Sequence, residues 1–171
     1  MLGLMQQRPL LISSLVDYAD QYHGGREIVS RDPAGEIHRT TYSQVTARAK
    51  QLANALETLG VQPGEPVATL AWNSYRHLEL YYGVTGSGRV LHTVNPRLFP
   101  EQLIYILNHA EDGVVFFDPV FVPLVEQLAP HLPLVRAWVA LCDRTGMPPV
   151  PVDKLFPVYA LFSASLSWHI S

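Results

Sequence analysis

Hydrophobic positions along this chain fall into two periods, and the changes from one to the other mark out its elements. Leu11, Leu15, Tyr18, Ala19 and Tyr22 recur at helical spacing, and Gly24-Gly25 ends that run. Two short extended segments follow, Glu27 to Arg31 and Glu36 to Arg39. The turn-forming Asp32-Pro33-Ala34-Gly35 between them predicts a hairpin. The clearest helix comes next, with Val45, Ala49, Leu52, Ala53, Leu56 and Leu59 on one stripe. Thr41 is placed to cap it, Gln44 stands where a capping box needs it, and Gly60 is the stop.

From there the pattern alternates. Val67 to Ala71 is a short run of apolar residues and Thr of the kind found in strands covered on both faces, Val114 to Phe117 is another buried-looking strand, and Val90 to Val94 and Ala137 to Leu141 read as strands as well. Between them lie three helical stretches. The first is capped at Asn73 and runs through Tyr75, Leu78, Tyr82 and Thr85 to Gly86-Ser87-Gly88. The second opens at Pro100, with Leu103, Ile106, Leu107 and Ala110 on its inner face. The third spans Val120 to Leu128. Helix and strand alternating through short connections predict an α/β fold, a parallel sheet with flanking helices and right-handed crossovers. Ligands of such sheets collect at the carboxyl ends of the strands. The segment Leu91-His92-Thr93-Val94-Asn95-Pro96-Arg97-Leu98 ends a strand at such a point. Pro96 forbids a helical Asn95 and removes a ladder donor, and Pro100 starts the next helix.

Composition narrows the class. With 171 residues, 48% of them hydrophobic and 16% charged, the chain is the size of one globular domain, and its net charge of −3 offers no basic surface for nucleic acid. Cys142 is the single cysteine, so no disulfide forms within the chain, in keeping with a cytoplasmic setting. The opening MLGLMQQRPLLISSL lacks the charged and apolar regions of a signal peptide. The best apolar run, Val114 to Val125, is interrupted by Asp118, Pro119 and Pro123, so no transmembrane segment is expected.

Signatures of chemistry are sparse. Gly83, Gly86 and Gly88 close a helix rather than follow a strand, which is the wrong context for a dinucleotide fingerprint. They read as a helix stop with tight packing. No nucleophile elbow surrounds Ser87, and no glycine-rich phosphate loop with Gly-Lys-Ser/Thr is present. The seven histidines are scattered, with no H-E-x-x-H. His77 and Glu79 lie two apart on a helix and point to different sides. His92, within a strand, and His109, near a helix end, read as hydrogen-bonded core or edge residues, and Cys142 as a small apolar one. Catalytic, cofactor-binding and metal residues: none is assigned.

The blocks Leu70-Ala71-Trp72-Asn73-Ser74-Tyr75-Arg76-His77-Leu78-Glu79-Leu80-Tyr81-Tyr82-Gly83 and Val90-Leu91-His92-Thr93-Val94-Asn95-Pro96-Arg97-Leu98 resemble the N-terminal part of fatty-acyl-CoA synthetases, of the adenylate-forming (AMP-binding) superfamily. The medium- and long-chain fatty-acid–CoA ligase branch is the nearest in pattern. Glu27 to Arg31, Thr41-Tyr42, Pro63-Gly64 and Tyr105 to Asp112 fit in the same order, so the resemblance covers about residues 8 to 143. It implies a fatty acid substrate, with ATP, magnesium and coenzyme A as co-reactants: an acyl-adenylate forms first, and the thiol then displaces AMP.

Three departures accompany it. The family's Ser/Thr/Gly-rich phosphate loop does not appear, and the chain has no glycine after Gly146 and no lysine after Lys154. The 171 residues are therefore expected to be inactive alone, because the groups that stabilise the transferring phosphate supply the largest catalytic effect. Residues 1–145 read as a partial N-terminal domain and 146–171 as an apolar non-family tail, with the reading frame departing near Met147 to Asp153. Finally, Arg89 stands where the family usually has a small residue and reads as surface variation. A partial sheet is expected to expose an edge, and with it a route to a homodimer or other association; the alternative to a ligase fragment is a non-catalytic α/β binding or dimerisation module derived from that family.

Overall fold

In the computed structural model, residues 3–4, 7–32, 35–142 and 155–157 are described. The expected turn at Pro33-Ala34 and most of the expected apolar tail lie outside the described residues. Helix α1 (Ile12–His23) leads into an antiparallel hairpin of β1 (Glu27–Arg31) and β2 (Ile37–Thr41). Helix α2 (Tyr42–Thr58) follows directly. Its capping box is present as predicted: Thr41 Oγ1 accepts from the Gln44 amide, and Gln44 Oε1 accepts from the Thr41 amide. Gly60 stops the chain with φ of 72°, a conformation that favours glycine.

A five-stranded parallel sheet forms the body. Its strands are β3 (Pro66–Leu70), β4 (Val90–Thr93), β5 (Val114–Phe117), β6 (Ala137–Ala140) and β7 (Leu155–Pro157), in the spatial order β4-β3-β5-β6-β7. The connecting helices are α3 (Tyr75–Gly86), α4 (Pro100–His109) and α5 (Val122–Leu128). The last begins after a single 3-10 turn at Pro119–Phe121, which shortens the helix expected from Val120.

Alternation along β5 explains the three layers. Val115 and Phe117 join Leu103, Leu107, Val125, Leu128 and Trp138 in one core. Val114 and Phe116 join Leu52, Leu56, Leu80, Val84 and Val139 in the other. All four β5 residues are fully buried, and each large one contributes about 1.5–3 kcal/mol by leaving water. Gly83 lets α3 approach α2, since a Cβ there would meet Leu52 and the Ala49 carbonyl closer than real carbon atoms come. That confirms the tight-packing reading of this glycine.

Two expectations change. Arg89 is not surface variation. It is buried, and its Nε and Nη2 donate to the Val61 carbonyl at 2.9 and 2.7 Å while Nη1 donates to the Ser87 carbonyl at 3.3 Å. The guanidinium fork satisfies carbonyls at two turns that a small residue would leave bare. The α3 N-cap is Ser74 rather than Asn73, and its side chain makes no capping bond.

Candidate functional site at the carboxyl ends of the sheet

The strand order decides where a site can form. The chain passes from β3 to β4 on one side and returns across β3 to place β5 on the other. The direction of winding therefore reverses between β3 and β5. This is the doubly wound 2-1-3-4-5 order, whose ligand crevice lies at the carboxyl ends of the two strands where it switches.

At that crevice stand Trp72, just beyond β3, and Asp118, just beyond β5. Asp118 is buried, and its Oδ2 accepts the Trp72 amide at 2.7 Å across a sequence separation of 46 residues. Its Oδ1 has no partner among the described residues. Burial pushes this carboxyl above the usual range, against the pull of the Trp72 amide and the Arg76 charge. The Trp72 ring packs on Phe121, with centroids 5.4 Å apart, and the Arg97 guanidinium lies 5.7 Å from the Trp72 centroid. A cleft of about 370 Å³ opens beside this bridge, between the ends of β3 and β4, walled by Thr69, Trp72, His77, Tyr81, Thr93 and the Asn95-Pro96-Arg97 turn. That turn is held by its own side chain: Asn95 Oδ1 accepts the Arg97 amide at 3.0 Å, and the Asn95 carbonyl accepts the Leu98 amide at 3.2 Å.

His77 stands at the back of this cleft. Its Nε2 is 3.1 Å from Thr69 Oγ1, the Tyr81 ring meets it edge-on, and burial lowers its pKa, which favours the neutral ring. Glu79 does point elsewhere, as its spacing predicts. It is buried against Arg48 at 2.6 Å, with its pKa raised by burial against that cation. His92 is a hydrogen-bonded edge residue, its Nδ1 2.6 Å from the Asp112 carboxylate, and that bond raises its pKa against the opposing effect of burial. His109 stacks on Tyr105 at a helix end, and Cys142 is buried in the core beside α4 and α5.

No group of three or more His, Cys, Asp or Glu able to hold a metal ion occurs among the described residues. At the switch point the chain presents a buried carboxyl group and an indole with the Arg97 guanidinium beside it, and no glycine-rich backbone loop of the kind that cradles a polyphosphate is found among the described residues. The described residues do not by themselves fit ATP. Sequence reading missed Asp118, which it saw only as a break in an apolar run, and Ser74. The pairing of β3 with β5 that gives Asp118 its place leaves no local signal.

The family model for AMP-binding enzymes matches residues 16–156. The chain belongs to the AMP-binding enzyme family. It is 54% identical over 144 residues to the 3-methylmercaptopropionyl-CoA ligase of Ruegeria pomeroyi, covering 84% of this chain and 27% of that protein. It is 49% identical over 146 residues to the medium-chain-fatty-acid–CoA ligase of Ectopseudomonas oleovorans, covering 85% of this chain and 27% of that protein. The crystal structure of the anthranilate CoA ligase AuaEII superposes with a TM-score of 0.75 at 23% identity, over 92% of this chain and 29% of that one, which supports the fold. The chain thus spans about a quarter of the length of these relatives and corresponds to their N-terminal portion. The resemblance seen in the LAWN and NPRL blocks is borne out, and the parallel sheet with flanking helices is the family's.

Proposed function

We propose that this chain supplies the N-terminal α/β unit of an ATP-dependent acid–CoA ligase that acts on a fatty acid or a similarly small aliphatic acid. The observation that carries the reading is the near-half identity to a medium-chain-fatty-acid–CoA ligase along 85% of the chain, set on the matching sheet. ATP, magnesium and coenzyme A belong to this proposal for the complete enzyme, and none is assigned to a residue here. A second acid class has its own support: the 54% identity to a 3-methylmercaptopropionyl-CoA ligase points to a short thioether acid.

The 171 residues hold no family phosphate loop, so the proposal includes their inactivity alone. We place the work in the cytoplasm, a reading supported by a lone cysteine. Among the described residues, no helix is long and apolar enough to cross a membrane. Self-association through the sheet edge at β4, where Val90 is half exposed, is part of the same proposal. So is a departure from the family pattern within 146–171, since Leu155 to Ser171 carries no Asp, Glu, Lys or Arg.

Two measurements test this. ATP–pyrophosphate exchange on the purified chain, with octanoate and with 3-methylmercaptopropionate, is expected to stay at background; exchange above it would overturn the inactivity. A chimera of the Ectopseudomonas enzyme carrying residues 16–142 of this chain in place of its own is expected to form acyl-CoA. A folded chimera that activates neither acid would count against the ligase reading.

A further inference from the structure

A second cleft, of about 310 Å³, lies on the hairpin side of α3 and adjoins the switch-point cleft, with which it shares Asn73, His77 and Tyr81. Its walls are mainly Ile28, Leu78 and Tyr81, an apolar surface, and at its head stands the first turn of the twelve-residue helix α3. A helix N-terminus alone attracts anions but specifies nothing. Here two side chains add to it. Ser74 and His77 both line the cleft, both are 6% exposed, and the hydroxyl of one and Nδ1 of the other have no partner among the described residues.

Buried polar atoms in folded proteins are almost always paired, so two orphans on one cleft wall call for an occupant. The surroundings indicate its sign. Ser30 Oγ accepts the Tyr75 amide at 3.2 Å, which fixes the hairpin against the start of α3, and the first intrahelical bond is that from the Leu78 amide to the Ser74 carbonyl. Arg76, on the same turn, brings positive charge nearby: after burial it is the next cause of the lowered pKa of His38, and it opposes the burial that raises those of Glu79 and Asp118. When the Thr69 hydroxyl donates to His77 Nε2, the remaining ring proton sits on the orphan Nδ1, which makes it a donor.

We propose that the N-terminal turn of α3, with Ser74 Oγ and His77 Nδ1, forms an oxyanion subsite for a small amphipathic anion, a carboxylate or phosphate monoester whose short aliphatic body lies against Ile28, Leu78 and Tyr81. The subsite needs no adenylation step, so it stands or falls separately from the ligase reading.

The test is titration of the 171-residue chain with hexanoate, with butyl phosphate and with neutral hexanol, followed by calorimetry and by amide shifts at residues 74–78. Saturable binding of an anion is expected, roughly tenfold or more tighter than hexanol and weakened by roughly tenfold in Ser74→Ala and His77→Gln. Binding of hexanoate alone assigns the carboxylate as the source, and binding of butyl phosphate alone the phosphate monoester. Absence of saturable binding by either anion overturns the subsite, as does binding that both folded variants leave unchanged. Should His77→Gln fail to fold, Ser74→Ala carries the decision, with a thermal melt as its control.

Discussion

Helices α1 and α2 are both amphipathic, and they use their apolar faces in opposite ways. In α2 the stripe from Val45 to Leu56 is buried against α3 and the sheet. In α1 the buried residues are Ser13 and Val16, while Leu15, Tyr18 and Tyr22 are 64%, 58% and 60% exposed. Periodicity shows that a face is apolar; it does not show that anything covers it. An ion pair from Lys50 to Asp17 at 2.9 Å, Ser43 Oγ donating to Asp20 and Thr46 Oγ1 donating to the Val16 carbonyl tie the two helices. The first helix is therefore anchored by polar contacts and by Val16, while the second is part of the core.

The contrast can be broken by substitution. Leu56→Ala should cost about 2–5 kcal/mol in urea melts, because the site is fully buried between helix and sheet; a loss under about 1 kcal/mol would place α2 outside the core. Arg48→Ala on the same helix should cost about 3 kcal/mol by leaving Glu79 buried and unpaired, with part of the loss recovered in the double variant with Glu79→Gln. Asp17→Asn, which removes the ion pair between the helices, should cost at most about 1 kcal/mol and lose its effect in high salt.

A pH series sharpens the picture by locating a titration away from both helices. The folded-state pKa of His92 is raised by Asp112, so its stabilisation is fully present below the ordinary histidine value near 6.5 and is lost as pH rises through the raised value. His92→Gln should remove that part of the pH dependence. His77, whose pKa burial lowers, works in the opposite sense, and comparison with the parent chain separates the two. The smallest effect belongs to Leu15→Glu on α1. It should change stability by no more than about 0.5 kcal/mol while reducing the binding of an apolar dye.

Local chemistry made much of the fold legible. The Thr41–Gln44 box, the strand at Val114–Phe117 and the Pro100 helix start are set by neighbours within four residues, and each appears where the sequence puts it. What the sequence hid is non-local. Asn73 and Ser74 are both capping residue types, and the start of α3 coincides with a non-local bond, the Tyr75 amide donating to Ser30 Oγ. Arg89 looked superficial because charges are rarely buried, yet its fork finds two carbonyls on turns far apart in sequence. Asp118 acquires meaning only when β5 lies beside β3.

That adjacency has a further consequence for how the sheet is assembled. β3, the first of its strands to be synthesised, ends in the interior, with β4 on one flank and β5, β6 and β7 in turn on the other. Each strand, in the order in which it leaves the ribosome, meets an open border, and none has to be inserted between two partners already joined. The sheet can be extended outward without any earlier pairing being undone, and β3 is the seed from which both directions grow.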